Sequence, residues 1–253
     1  MHRTIRWSLL IIVSLLFLVL LGTTLLLFPV VQTYIGRVLS DKLSRDLGIT
    51  VRIERIEIRP FGPNRLHNVF ITDLKNDTLI AADEIRLRGV RLDRAQHAID
   101  VRTIELHDTR FRLDRAVGDE HTNLKLLLAK LASEDTSAAG PAWRIHCGSV
   151  DIRRLHFSMN DHNVPQLPFG VDFKHLDVNT ADVVGQNLRV AGDSVMIALE
   201  RISLRDRSGL VLEELSGNTK VSPRGIRISG MRLKTPGTDL RGDLKFSTAS
   251  FGD

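Results

Sequence analysis

The chain has 253 residues, with 35 Lys and Arg against 30 Asp and Glu, a formal net charge of +5 and only 5% aromatic residues. Nucleic-acid binding asks for clustered basic residues interleaved with aromatics. Here the arginines alternate with acids, as on a solvated face, so a nucleic-acid partner is not expected. Cys147 is the single cysteine, so no intramolecular disulfide can staple the fold.

The first element is an apolar run over residues 9–28, carried by Leu9, Leu16, Phe17, Leu21 and Phe28 and broken only by Ser14, Gly22, Thr23 and Thr24. Its length matches the roughly 20 residues a helix needs to cross a hydrocarbon core. A signal peptide has a shorter apolar region and a small-residue cleavage site. This run leaves through Phe28, Pro29, Val30 and Val31, so it is expected to stay as a transmembrane anchor. Arg3 and Arg6 precede it without an acid, while Asp41 and Asp46 offset Arg37 and Lys42 beyond it. By the positive-inside rule the N-terminus is cytoplasmic and the remaining body is exported.

Residues 29–48 read as an amphipathic helix, with Val31, Tyr34, Ile35, Val38, Leu39 and Leu43 as its apolar face and Gly48 as its stop. From Ile49 the period changes to two. A pattern of two apolar pairs separated by two residues then recurs: Val51/Ile53 with Ile56/Ile58, Ile85/Leu87 with Val90/Leu92, and Ile99/Val101 with Ile104/Leu106. It returns as Val150/Ile152 with Leu155/Phe157, Val171/Phe173 with Leu176/Val178, Ile197/Leu199 with Ile202/Leu204, and Ile226/Ile228 with Met231/Leu233. On a helix these four positions scatter around the cylinder. On a strand, an inserted residue between the pairs restores both to one face, which predicts β-bulges at Glu54/Arg55, Arg88/Gly89, Arg153/Arg154 and Ser229/Gly230. A strand that changes its buried side is the alternative.

Phe111 and Leu113 supply a further strand, and Leu240, Leu244 and Phe246 the last one. Asn123 is placed to cap a helix over residues 124–132, and a linker rich in Ser, Ala and acids follows it. The organisation is therefore an arm and anchor (1–28), an amphipathic helix (29–48), a β-sheet (49–120), a helix and linker (121–142), and a continuing sheet (143–253) that reads as truncated. The fold class is mainly β, a long curved antiparallel sheet with one inserted helix. One face of such a sheet is apolar and must be covered by a second sheet, by its own curl, or by lipid.

No catalytic residue, cofactor or metal site is expected. His107, His146, His156 and His175 lie at polar-face strand positions, outside any H-x-x-x-H or C-x-x-C spacing. Residues 192–195 lack the G-x-S-x-G elbow, and Asp161, His162 and Asn163 read as a turn. Cys147, within an alternating stretch, reads as a small core hydrophobe.

Several segments resemble the AsmA-like/TamB family of translocation and assembly module proteins, in the form found in Bacteroidetes-like Gram-negative bacteria. They are the exit Pro29, Val30, Val31, Gln32; the entry to the first strand, Leu43 through Gly48 to Val51; Leu66, Asn68 and Asp73 with Asp77, Thr78, Leu79 and Asp83; and Leu233, Thr235, Pro236 and Leu240. The resemblance implies an inner-membrane protein whose periplasmic body is a β-trough with an apolar interior. It further implies a role in outer-membrane biogenesis: secretion, translocation and assembly of outer-membrane proteins, or guidance of phospholipid. Implied partners are the cytoplasmic membrane, an outer-membrane barrel-assembly protein and phospholipid. The candidate trough residues are Ile85, Leu87, Ile104, Leu106, Leu155, Phe157, Phe173 and Leu199. A structural periplasmic scaffold with a closed β-sandwich core is the other reading.

Overall fold

A computed structural model describes Ser14 and residues 28–59, 62–93, 95–134, 144–191, 194–222 and 224–247. The expected anchor, with Leu9, Leu16, Phe17 and Leu21, lies outside the described residues, as do residues 135–143 of the linker. Among the described residues no helix is long and apolar enough to cross a membrane.

Helix α1 (Pro29–Leu47) opens on a proline, which lacks an N–H that a first turn could not satisfy anyway. It closes on Gly48, whose φ of 61° is the left-handed cap expected of a glycine stop. The face it buries differs from the apolar stripe read in the sequence. Gln32, Gly36 and Ser40 are buried, while Val30, Tyr34, Val38 and Leu39 are exposed. The reason is the partner, which is the backbone edge of β1 (Val51–Glu57). Ile53 N donates to Ser40 Oγ at 2.7 Å, and Val51 N donates to Ser44 Oγ at 2.8 Å. Gly36 lets the helix come close, since a Cβ there would sit 3.0 Å from Ile53 O. Ile35, Leu43 and Leu47 reach past the edge into the core.

Ten further strands follow: β2 (Asn64–Thr72), β3 (Thr78–Arg88), β4 (Arg91–Asp93), β5 (Ala98–Arg115), β6 (Arg144–Asp161), β7 (His175–Ala191), β8 (Ser194–Asp206), β9 (Val211–Ser222), β10 (Gly225–Thr235) and β11 (Thr238–Ser247). All eleven form one open sheet in chain order, except that β4 pairs only with β5. Its register continues that of β3, from Arg88↔Thr103 to Arg91↔Asp100, so β3 and β4 are one line interrupted at Gly89 and Val90. The sheet is mixed, not purely antiparallel: β5 and β6 run parallel over Ala98↔Arg144 to Arg115↔Asp161. A parallel pair needs a long crossover, and helix α2 (Asn123–Glu134) with the linker supplies it. Strands expected as separate pieces, around Ile99 and around Phe111, merge into the 18-residue β5.

Thr122, not Asn123, caps α2. Its carbonyl accepts Leu126 N, and its hydroxyl accepts Lys125 N at 3.4 Å. Asn123 is buried and ties the helix to the sheet. Its Oδ1 accepts Asp114 N at 3.1 Å, and its Nδ2 donates to Asp73 Oδ2 at 3.2 Å. Leu124 and Leu127 then join the core of Ile49, Val51, Ile53, Ile56, Val69 and Leu79. A second core gathers Val101, Cys147 and Val150, with Leu87, Ile99 and Leu188 against them.

The repeated pairs of apolar residues are brought to one face by two different devices. From β6 onward they are bulges, with register shifts at Ile152/Leu155, Leu199/Ile202 and Ile228/Met231. From β1 to β6 the register holds through the kink, which corrects the bulges expected at Glu54/Arg55 and Arg88/Gly89. Adjacent strands kink together at one level instead. Asn68, Asp108 and Arg154 take φ values of 50°, 50° and 53°, level with Glu54 on β1 and Asp83 on β3. On β2 the left-handed Asn68 flips the pleat by one step, so Leu66, Val69 and Ile71 all reach the core that Val51, Ile53, Ile56 and Ile58 of β1 also enter. A second row holds Gly89 (φ 64°) and Asn187 (φ 53°) at the level of Arg102 and Gly148.

Candidate functional site: the apolar face of the sheet

Strand pairing places one apolar residue from each strand of the main path in a single row. It runs Ile56↔Leu66↔Ile85↔Leu106↔Ile152 through β1 to β6. It continues Ile152↔Val183↔Ile202↔Leu215↔Leu233↔Leu240 to β11. A parallel row, Leu92↔Ile99↔Ile145↔Val190↔Val195↔Val221, reaches Ile226 and Phe246. Cross-strand pairs of this kind stabilise a sheet by roughly 0.2–1 kcal/mol each, so the rows hold the strands in register as well as forming a surface.

Cover over this surface changes along the sheet. At β1, Ile56 is 8% exposed under the two helices, whereas at β11 Leu240 is 53% exposed. Between them Leu106, Ile152, Val183, Ile202 and Leu215 are half-buried. Among the described residues there is no second sheet to lie over them.

The opposite face is charged. Arg65 pairs with Glu84, Arg86 with Glu84 and Glu105, and Arg153 with Asp151. The Arg86 guanidinium beside it holds the Glu84 carboxyl below its ordinary range. Arg154 bridges Asp108 at 2.5 Å across the parallel pair, and its backbone N–H donates to Asp182 Oδ1 at 3.0 Å. The polar side chains of the kink row are thus joined from β5 to β7.

Of the candidate residues, Ile85, Leu87, Ile104, Leu106, Leu155, Phe157 and Leu199 lie on strands. Phe157 packs against Phe111 at 5.7 Å between ring centroids. Phe173 does not belong with them. The expected strand at Val171 begins only at His175, because Asp172 folds the preceding residues into a turn by accepting Leu167 N and Lys174 N at 2.8 and 2.9 Å. Phe173 is 69% exposed on that turn. Sequence reasoning missed Leu66, Val183 and Leu215, which stand outside the repeated pattern and are found only from strand register. Cys147 is fully buried in β6, as its alternating context suggested, and burial pushes its thiol above the ordinary range. Among the described residues no three His, Cys, Asp or Glu are grouped to hold a metal ion. No protein-family model matches the chain, and no curated protein matches it.

Proposed function

We propose that the chain is a membrane-anchored periplasmic component of outer-membrane biogenesis, of the AsmA-like/TamB kind, whose apolar face guides acyl chains or unfolded client strands. The reading is non-catalytic: the face offers apolar contact and direction. The observation that carries it is the unbroken apolar row from Ile56 to Leu240, left without a second layer among the described residues and backed by a face of ion pairs. A half-buried Leu or Ile gains roughly 25 cal/mol for each Å² it removes from water, so an acyl chain laid along such a row is bound by area and not by any single residue. Half-burial without a covering layer also supports a sheet that curls into a trough. The apolar residues 9–28 supply the anchor in this reading, and α1 sets β1 at its end.

A photo-crosslinker at Leu106, with one at Glu105 on the opposite face as control, tests the proposal in intact envelopes. Capture of phospholipid or of a barrel protein at Leu106 and not at Glu105 is expected. Equal capture at both positions, or none at Leu106, removes it.

A further inference from the structure

A cavity of about 670 Å³ lies on the charged face, remote from the apolar rows and independent of the function proposed for them. Its floor is the polar side of β5, β6 and β7, where Arg110 pairs in register with His156, and Ser158 with Asp177. The β6–β7 loop walls it with Leu167 and Phe169, and the β8–β9 turn brings Arg207 to the other side.

The formal charges of the lining cancel, but their hydrogen-bonding capacity does not. Asp172 is occupied by Leu167 N, Lys174 N and His175 Nδ1, the last at 2.9 Å. Asp206 accepts Asp177 N at 3.0 Å and Ser208 N at 2.8 Å, and Asp177 faces His156 Nε2 at 2.8 Å. Arg112 pairs with Asp114 at 3.1 Å. The guanidinium groups of Arg110 and Arg207, by contrast, have no hydrogen-bond or ion-pair partner among the described residues. Two strands separate them, roughly 14 Å at the usual strand spacing, so both forks can turn into the cavity. A planar fork with its donors free is matched to the oxygens of a phosphate. Beside them Leu167 and Phe169 are 56% and 85% exposed, an apolar rim that a bare ion would not use.

We infer that this cavity binds a phosphate group through Arg110 and Arg207, and that the rim selects a phosphate carried on an apolar body such as a lipid headgroup. The Arg207 backbone N–H donates to Asp177 O at 2.9 Å, which fixes where its side chain starts. The β8–β9 turn is therefore the arm of the site, and the β6–β7 loop its lip.

Isothermal titration of the full chain in non-ionic detergent with dihexanoyl phosphatidate and with inorganic phosphate tests this. Phosphatidate is expected to bind the more tightly. R110Q and R207Q should each weaken it roughly ten-fold or more, as expected for a lost charge-assisted hydrogen bond, with the strand circular dichroism unchanged. R153Q, on the same face but paired with Asp151, should leave it unaltered. F169A should weaken phosphatidate and not inorganic phosphate. Equal binding of the two probes, indifferent to F169A but sensitive to both arginines, supports the phosphate site and removes the lipid preference. No binding of either probe, or binding indifferent to R110Q and R207Q, overturns the site.

Discussion

Ser40 completes the edge of the sheet by taking the Ile53 N–H at 2.7 Å while its own hydroxyl proton goes to Gly36 O at 2.8 Å. A side chain of α1 thus stands where a neighbouring strand would. Exposed strand edges invite pairing with other chains, and Ser40 and Ser44 close this one. S40A leaves a buried backbone donor without its partner, which costs about 1–3 kcal/mol. A urea titration followed by circular dichroism should show the unfolding free energy fall by that amount. D41A, one residue along on the exposed side, should shift it by less than about 0.5 kcal/mol. Equal shifts would mean that the helix does not hold the edge in this way.

Asn68 sits in the kink row at φ 50° and donates to Glu54 Oε2 across the strand. Asparagine tolerates this conformation better than other non-glycine residues, and a β-branched side chain tolerates it least. N68G should therefore be nearly neutral, since it exchanges one exposed hydrogen bond for relief of backbone strain. N68V should lose at least the roughly 1–2 kcal/mol that a left-handed residue costs. Chemical denaturation of the two variants gives the comparison. A milder effect for N68V than for N68G would rule out the left-handed flip as the device that keeps Leu66 and Val69 on one face.

The repeated apolar pairs made the strands legible, because two phases of a period of two separated by one extra step have few structural explanations. They could not say how the step is made. A bulge and a row of coordinated kinks leave the same mark on one strand and differ only in what the neighbouring strand does. The pairing of β5 with β6 was hidden for a similar reason: direction depends on the crossover through α2, not on either strand's own residues. In α1 the error came from reading hydrophobicity as the burial signal. Its partner is a backbone edge, which selects small and hydroxyl side chains at Gly36, Ser40 and Ser44. Phe173 shows the reverse case, where an apolar alternation was overridden by the hydrogen bonds of its neighbour Asp172. Most of the apolar row was in view from the sequence, whereas the phosphate cavity was not, since Arg110 and Arg207 come to line one cavity only through strand order.

Cys147 offers an internal reporter of global opening. It has no exposed surface, it lies between Val101 and Leu188 in register, and burial raises its thiol above the ordinary range. The thiolate is the species that reacts, so both access and ionisation oppose alkylation in the folded protein. Modification by iodoacetamide should be undetectable in native buffer and should rise with urea in step with the loss of strand signal. Rapid native labelling would show that the second core opens on its own.

The lip of the cavity should respond to acid through Asp172. Hydrogen bonding from Leu167 N, the largest cause, with Lys174 N and His175, pulls this carboxyl from 3.8 down to about 2. The folded value lies below the unfolded one, so the stabilisation is fully present above pH 3.8 and is lost as pH falls from there through about 2. Within that window the amides of Leu167 and Lys174 should lose hydrogen-exchange protection before amides of the central strands, such as Leu199. D172N removes one acceptor oxygen and the negative charge. It should expose the same two amides at pH 5 and abolish their pH dependence below pH 4. His175 contributes from the other side, with Nδ1 against Asp172 and Nε2 facing Asp161 O at 3.1 Å. H175A should therefore move the acid transition of the loop upward, towards 3.8. If Leu167, Lys174 and Leu199 lose protection together in the wild type, the loop is not a separate acid-sensitive unit and Asp172 does not hold it.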